Sequence, residues 1–179
     1  MKTIPYDTAV DAVTRLILDV SVNLPSDVQD RLCWCAGSES SSGARGILDQ
    51  ILDNARIARE TGLPLCQDTG VAVFFADVGR DVRVGGDGLD AVLAEATRRG
   101  YAEGLLRMSM VSDPFRRENT GDNTPPVIHR REIDGDAVTV HFCPKGGGCE
   151  NMSRLAMLSP GDGYRGVMDF IVDTVRAGG

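Results

Sequence analysis

The chain has 179 residues, 42% of them hydrophobic, enough to bury one sizeable core and at most a domain with a small satellite. Its formal charge of −7 excludes a non-specific nucleic-acid binder, which needs a clustered basic surface, and admits anionic small molecules only where arginines gather locally. No run approaches the roughly 18 apolar residues of a membrane span, and "MKTIPYDTAV" passes from one lysine into an amphipathic pattern instead of a signal-peptide core. The expectation is one soluble, cytoplasmic domain with neither a nucleic-acid nor a membrane partner.

From Tyr6 to about Leu24, Val10, Val13, Leu16, Ile17 and Val20 recur at helical spacing and predict a first helix. "NLPSDVQDRLCWC" restarts with Pro25 near a first turn and predicts a second, ending before the small-residue break "GSESSSG". Arg45 to Glu60 puts Ile47, Leu48, Ile51, Leu52, Ala55 and Ala58 on one face, with Gly62 as the stop. "VAVFFADV" is a β-prone apolar run of the buried-strand type, and "VGGDGLDAVLAEATRRGYAEG" a turn feeding another helix. "VIHRREIDGDAVTVHFC" shows two strand-like runs joined by "DGD", a hairpin signal. "GDGYRGVMDFIVDTVRAGG" closes the chain with an amphipathic helix. The sum is an α+β fold, helices packed around a partly antiparallel β-sheet, in a single domain.

Five cysteines, Cys33, Cys35, Cys66, Cys143 and Cys149, are odd in number and lack a disulfide-framework spacing, so reduced thiols are expected. Cys33 and Cys35 form C-x-C inside a helical segment, where i and i+2 point apart, and read as packing. Cys143, in a β-like run, reads as core.

Three stretches resist a purely structural account. "LPLCQDTG" sets a thiol, an amide and a carboxylate side by side at Cys66, Gln67 and Asp68, without the alternation a two-layer core demands; Asp68 alone is equally a cap or turn residue. "RRENTGDNTPPVIH" gathers Asn119, Thr120, Asp122, Asn123 and Thr124 around Gly121, and turn chemistry accounts for it at least as well as a site does. "PKGGGCEN" runs three glycines into an apparent helix start, which suits either an anion cradle or a flexible turn. Its Lys145 is one of two lysines against 17 arginines, and it precedes the glycines, so this is no Walker motif.

In order, "LPLCQDTG", "LRMSMVSDPFRRENTGDNTPPVIH" and "PKGGGCENMSRLAML" closely resemble the N-terminal catalytic region of the iron-sulfur hydro-lyases, the class I fumarases and L(+)-tartrate dehydratase α-subunits, over roughly residues 5 to 179. The resemblance implies a 4Fe-4S cluster held by three thiolates, with Cys66 as one ligand and the fourth iron open to substrate. It implies Gln67 and Asp68 at the substrate, Asp68 as the catalytic proton-exchanging group, Arg107 paired with a substrate carboxylate, and Gly148 on a substrate-facing loop.

The implied reaction is reversible addition or elimination of water on a small dicarboxylate, with a β subunit or C-terminal domain and a homo- or hetero-oligomer as assembly. Cys149 stands where members often carry serine and reads as a tolerated thiol. The family's second and third cluster cysteines have no counterpart here. The chain is therefore expected to be the N-terminal portion of a longer α domain, without a cluster and inactive by itself. The alternative is a non-catalytic dicarboxylate- or phosphate-binding relative.

Overall fold

A fully apolar inner strand face explains how the helices and the sheet come together. The computed structural model describes residues 2–178, apart from the side chains of residues 149 and 150. The elements are β1 (Lys2–Ile4), α1 (Tyr6–Val22), α2 (Ser26–Ser38), α3 (Ser42–Thr61), β2 (Val71–Gly79), β3 (Val82–Val84), α4 (Leu89–Glu103), β4 (Val127–Ile133), β5 (Val138–Lys145) and α5 (Gly163–Gly178). The class is α+β, as expected, with helices packed around a partly antiparallel sheet. Contacts divide the chain into two compact units, Met1–Lys145 and Gly146–Gly179. Among the described residues no helix is long and apolar enough to cross a membrane.

In the first unit, β2 alternates with period two: Ala72, Phe74, Ala76 and Val78 are buried, while Phe75 on the opposite face is 49% exposed. The run read as a strand buried on both faces is thus one-sided. Its buried face meets Val10, Val13 and Ile17 of α1 and Leu89, Val92, Leu93, Ala96 and Tyr101 of α4, with Phe142 of β5 tilted on Phe74 at 5.2 Å. Each large side chain buried this way contributes about 1.5–3 kcal/mol relative to exposure. Gly100 lets α4 approach α1 closely, since a Cβ there would lie 2.8 Å from Ile17 Cγ2. The second and third helices bury less than their sequence pattern suggests: Ala36 in α2 and Ala55 and Ala58 in α3 are buried, whereas Ile47 and Ile51 stay exposed. Gly62 does terminate α3, in the left-handed region at φ +71°.

The hairpin expected at "DGD" does not form. The three-stranded sheet has the order β4-β2-β5, with β4 parallel and β5 antiparallel to β2, so β2 lies between the two runs. Residues 134–136 instead cross over the end of β2. Gly79 N–H donates to Ala137 O at 2.8 Å and Arg80 N–H to Ile133 O at 3.0 Å. Gly79 permits the crossing, because a Cβ there would sit 2.3 Å from the Gly135 carbonyl oxygen. A turn signature fixes local geometry but not whether its two strands pair with each other. A short pair, β1 parallel to β3, adds a second sheet that the sequence reading did not anticipate.

Cys143 is also corrected: it is exposed, because Phe142 occupies the inward position and the pleat turns its neighbour out. On that outer face Phe75 stacks on His129 at 4.8 Å. Arg131 donates two hydrogen bonds to Asp77, at 2.9 and 2.7 Å, and holds that carboxyl below its usual range.

The second unit contains a 3-10 turn (Gly148–Met152), another (Pro160–Asp162) closed by a Ser159/Asp162 capping box, and α5. The apparent helix start at "GGGCEN" is this first turn of five residues. Along α5, Val167, Ile171 and Val175 form an exposed apolar stripe.

Candidate functional site

The loop from Gly62 to Gly70 leaves α3 and enters β2, and its backbone is tied down on both sides of Cys66. Leu65 N–H donates to Ser21 O of α1 at 2.9 Å, and Asn54 Nδ2 of α3 donates to Leu65 O at 2.9 Å. Beyond Cys66, Thr69 is buried, and its hydroxyl donates to the Arg107 carbonyl at 2.9 Å. Cys66 and Gln67 are exposed between these anchors, with the thiol 3.7 Å from Gln67 Oε1. Asp68 is half-buried; its Oδ1 accepts Gly70 N–H at 3.2 Å and lies 3.9 Å from Arg107 Nη1. Cys66, Asp68 and Thr69, together with Val20, Ser21, Leu65 and Pro144, line a hollow of about 150 Å³.

Arg107 comes from the segment after α4, whose Leu106 is buried while the guanidinium is exposed. The structure thus brings Cys66, Gln67, Asp68 and Arg107 to one corner of the first unit. Gly148 lies in the second unit, exposed, in the 3-10 turn. The Cys149 side chain lies outside the described residues.

Four residues that the sequence reading left as turn formers or within a helix hold this corner. Tyr101 of α4 is fully buried, and its hydroxyl donates toward Thr69 O at 3.1 Å and Gly70 O at 3.3 Å. Burial pushes its phenol pKa up, the Asp68 charge adds to the rise, and the Asn123 amide opposes it, so the hydroxyl stays a donor. Asn123 is fully buried and reaches both loops, accepting from Ser109 and Met110 N–H and donating to Gly70 O. Asn119 donates to Met108 O at 2.9 Å, and Thr120 N–H donates to Met110 O at 3.0 Å. The turn reading of "NTGDN" therefore holds locally, and the same turns carry the Arg107 segment. A tyrosine set between Gly100 and Gly104 was the one local hint, since it marks where α4 packs closest.

Asp122 Oδ1 accepts the hydroxyl of Thr124 at 2.7 Å and its N–H at 3.0 Å, which holds the carboxyl below the usual carboxylate range. A lowered folded-state pKa stabilises the turn above the unfolded value, about 3.9, and that stability is lost as pH falls through the folded one. The Thr124 amide resonance should therefore titrate with a midpoint below the ordinary carboxylate value of about 3.9. A midpoint at or above that value would show that Thr124 does not hold the carboxylate.

The four-iron cluster that the sequence resemblance implies needs several thiolates around one centre. Among the described residues no three His, Cys, Asp or Glu side chains are grouped to hold a metal. Cys33 and Cys35 lie on α2 and Cys143 on β5, so the described residues offer one thiol, Cys66, at this corner and do not by themselves fit a four-iron cluster.

A family model described as fumarate hydratase (Fumerase) matches residues 10–179. The chain belongs to the fumarate hydratase family. Within it, the chain is 35% identical to a Methanocaldococcus jannaschii protein provisionally named L(+)-tartrate dehydratase subunit alpha, covering 94% of this chain and 61% of that one. It is 32% identical to the L(+)-tartrate dehydratase subunit alpha of Escherichia coli strain UTI89, covering 93% and 57%. The K12 strain protein of the same name is 31% identical over the same shares. The chain thus spans about three fifths of the length of these relatives.

Proposed function

We propose that this chain is the N-terminal portion of an iron-sulfur hydro-lyase catalytic (α) domain, of fumarate hydratase or tartrate dehydratase type, acting on a small dicarboxylate. The observation that carries the reading is the approach of Arg107 to Asp68, 3.9 Å apart beside the Cys66 hollow in a member of the fumarate hydratase family. A planar guanidinium and a carboxylate side by side suit a 2-hydroxy acid: Arg107 takes a substrate carboxylate in a bidentate pair, and Asp68 exchanges a proton with the oxygen that leaves or enters. Gln67, next to Asp68, orients the substrate through its amide.

In this reading Cys66 supplies one of three thiolates to a 4Fe-4S cluster, and the other two come from outside the described residues. The relatives named above are called alpha subunits, and assembly with a β subunit, or with a C-terminal domain in its place, is part of the proposal.

The whole gene product, purified and iron-loaded without oxygen, should interconvert a hydroxy-dicarboxylate and its dehydrated form in assays with fumarate, L-malate and L(+)-tartrate. Exposure to air should abolish the turnover, since an open iron has no protein ligand to protect it. Binding of phosphate or nucleotide with no response to any dicarboxylate would replace this reading with that of a non-catalytic binding protein.

A further inference from the structure

Two segments far apart in the chain must stay in register for Asp68 and Arg107 to face one substrate, and one buried side chain touches both. Asn123 is 0% exposed and sits at φ +60°, in the left-handed region that asparagine tolerates better than most residues. Its Oδ1 accepts Ser109 N–H at 2.7 Å and Met110 N–H at 2.9 Å, two and three residues after Arg107. Its Nδ2 donates to Gly70 O at 3.2 Å, and Gly70 N–H in turn donates to Asp68 Oδ1. Tyr101 supports the Gly70 carbonyl from α4, and that of Thr69 beside it, and the Thr69 hydroxyl closes the circuit on Arg107 O. A buried amide bonded to both loops fixes their separation better than either loop's own turns, because each lost bond leaves a buried polar group unpaired.

We infer that Asn123, braced by Tyr101, is a positioning residue that sets the Asp68–Arg107 geometry for dicarboxylate binding. The inference rests on the reading of Asp68 and Arg107 as the substrate pair.

Asn123→Asp keeps the acceptor for residues 109 and 110, and tolerates the same backbone, but removes the donor to Gly70. Tyr101→Phe keeps the packed ring and removes only the hydroxyl. In the whole gene product, hydrogen exchange by mass spectrometry should show unchanged protection around residues 108–112 in Asn123→Asp and faster exchange around 68–72. Calorimetric titration with L(+)-tartrate, at a temperature where each variant is folded, should show Kd raised roughly tenfold in both variants. Arg107→Ala serves as the control for the site itself.

If both variants bind tartrate as the wild type does while Arg107→Ala does not, the positioning role is overturned and the site reading stands. If Arg107→Ala also leaves the affinity unchanged, or the wild type ignores both tartrate and fumarate, the site reading fails and this inference with it. Should Asn123→Asp not fold, Tyr101→Phe alone decides: an unchanged Kd overturns the inference.

Discussion

Cys66→Ser is expected to leave the whole gene product folded and to strip it of iron-sulfur absorbance and hydro-lyase activity together. The loop around Cys66 is held by Leu65 on Ser21 and Asn54 on one side, and by Thr69, Tyr101 and Asn123 on the other. None of these bonds uses the sulfur, and the thiol is exposed, so an oxygen in its place removes no packing. What changes is the donor: thiolates bind iron-sulfur clusters, and a serine hydroxyl is a poor substitute. Iron content, visible absorbance and a melting curve measured on one sample separate the two effects. A Cys66→Ser protein that keeps wild-type iron and colour would end the ligand assignment. One that loses iron and also melts far earlier would give the sulfur a structural part that the anchors do not suggest.

How much of this was legible beforehand depends on how far each contact reaches along the chain. Val10, Val13 and Ile17 show their burial through helical spacing alone, and Gly62 announces the end of α3, because both are decided within a turn or two. The insertion of β2 between β4 and β5 was not legible, since "DGD" permits a crossing as readily as a hairpin and the deciding feature is a missing Cβ at Gly79, on another strand. Cys143 was misplaced although Val138, Val140 and Phe142 alternate with polar neighbours: a cysteine in a strand reads as a small apolar residue, and the phase that turns it out is set by Phe142 meeting Phe74. At the candidate site, Cys66, Gln67 and Asp68 stood out by their missing alternation, but their roles, and Arg107 altogether, were reached through resemblance. Asn123 read equally as a turn former and Tyr101 went unremarked, because their partners Gly70 and Thr69 lie 53 and 32 positions away, and a polar residue near a glycine reads as a turn until its partner is known.

Arg107→Ala should lower kcat/KM for the dicarboxylate by about 100-fold, or ~2.7 kcal/mol, the size expected when one member of a charge pair buried by the ligand is truncated. The guanidinium is 66% exposed and 3.9 Å from Asp68, a separation at which an ion pair in water contributes little to folding. The same group closed against a substrate carboxylate loses that solvent and makes two parallel N–H···O bonds, so its worth appears on binding and not in the melting curve. The backbone carbonyl of Arg107, not its side chain, receives the Thr69 hydroxyl, so alanine preserves the strut that holds the two loops together. The variant should accordingly melt within a few tenths of a kcal/mol of the wild type, about the scatter of exposed substitutions. Arg107→Lys should recover only part of the loss, because a point charge pairs with a carboxylate without the fork. An unchanged kcat/KM in Arg107→Ala would return the residue to the solvent surface and leave Asp68 without its partner in substrate binding.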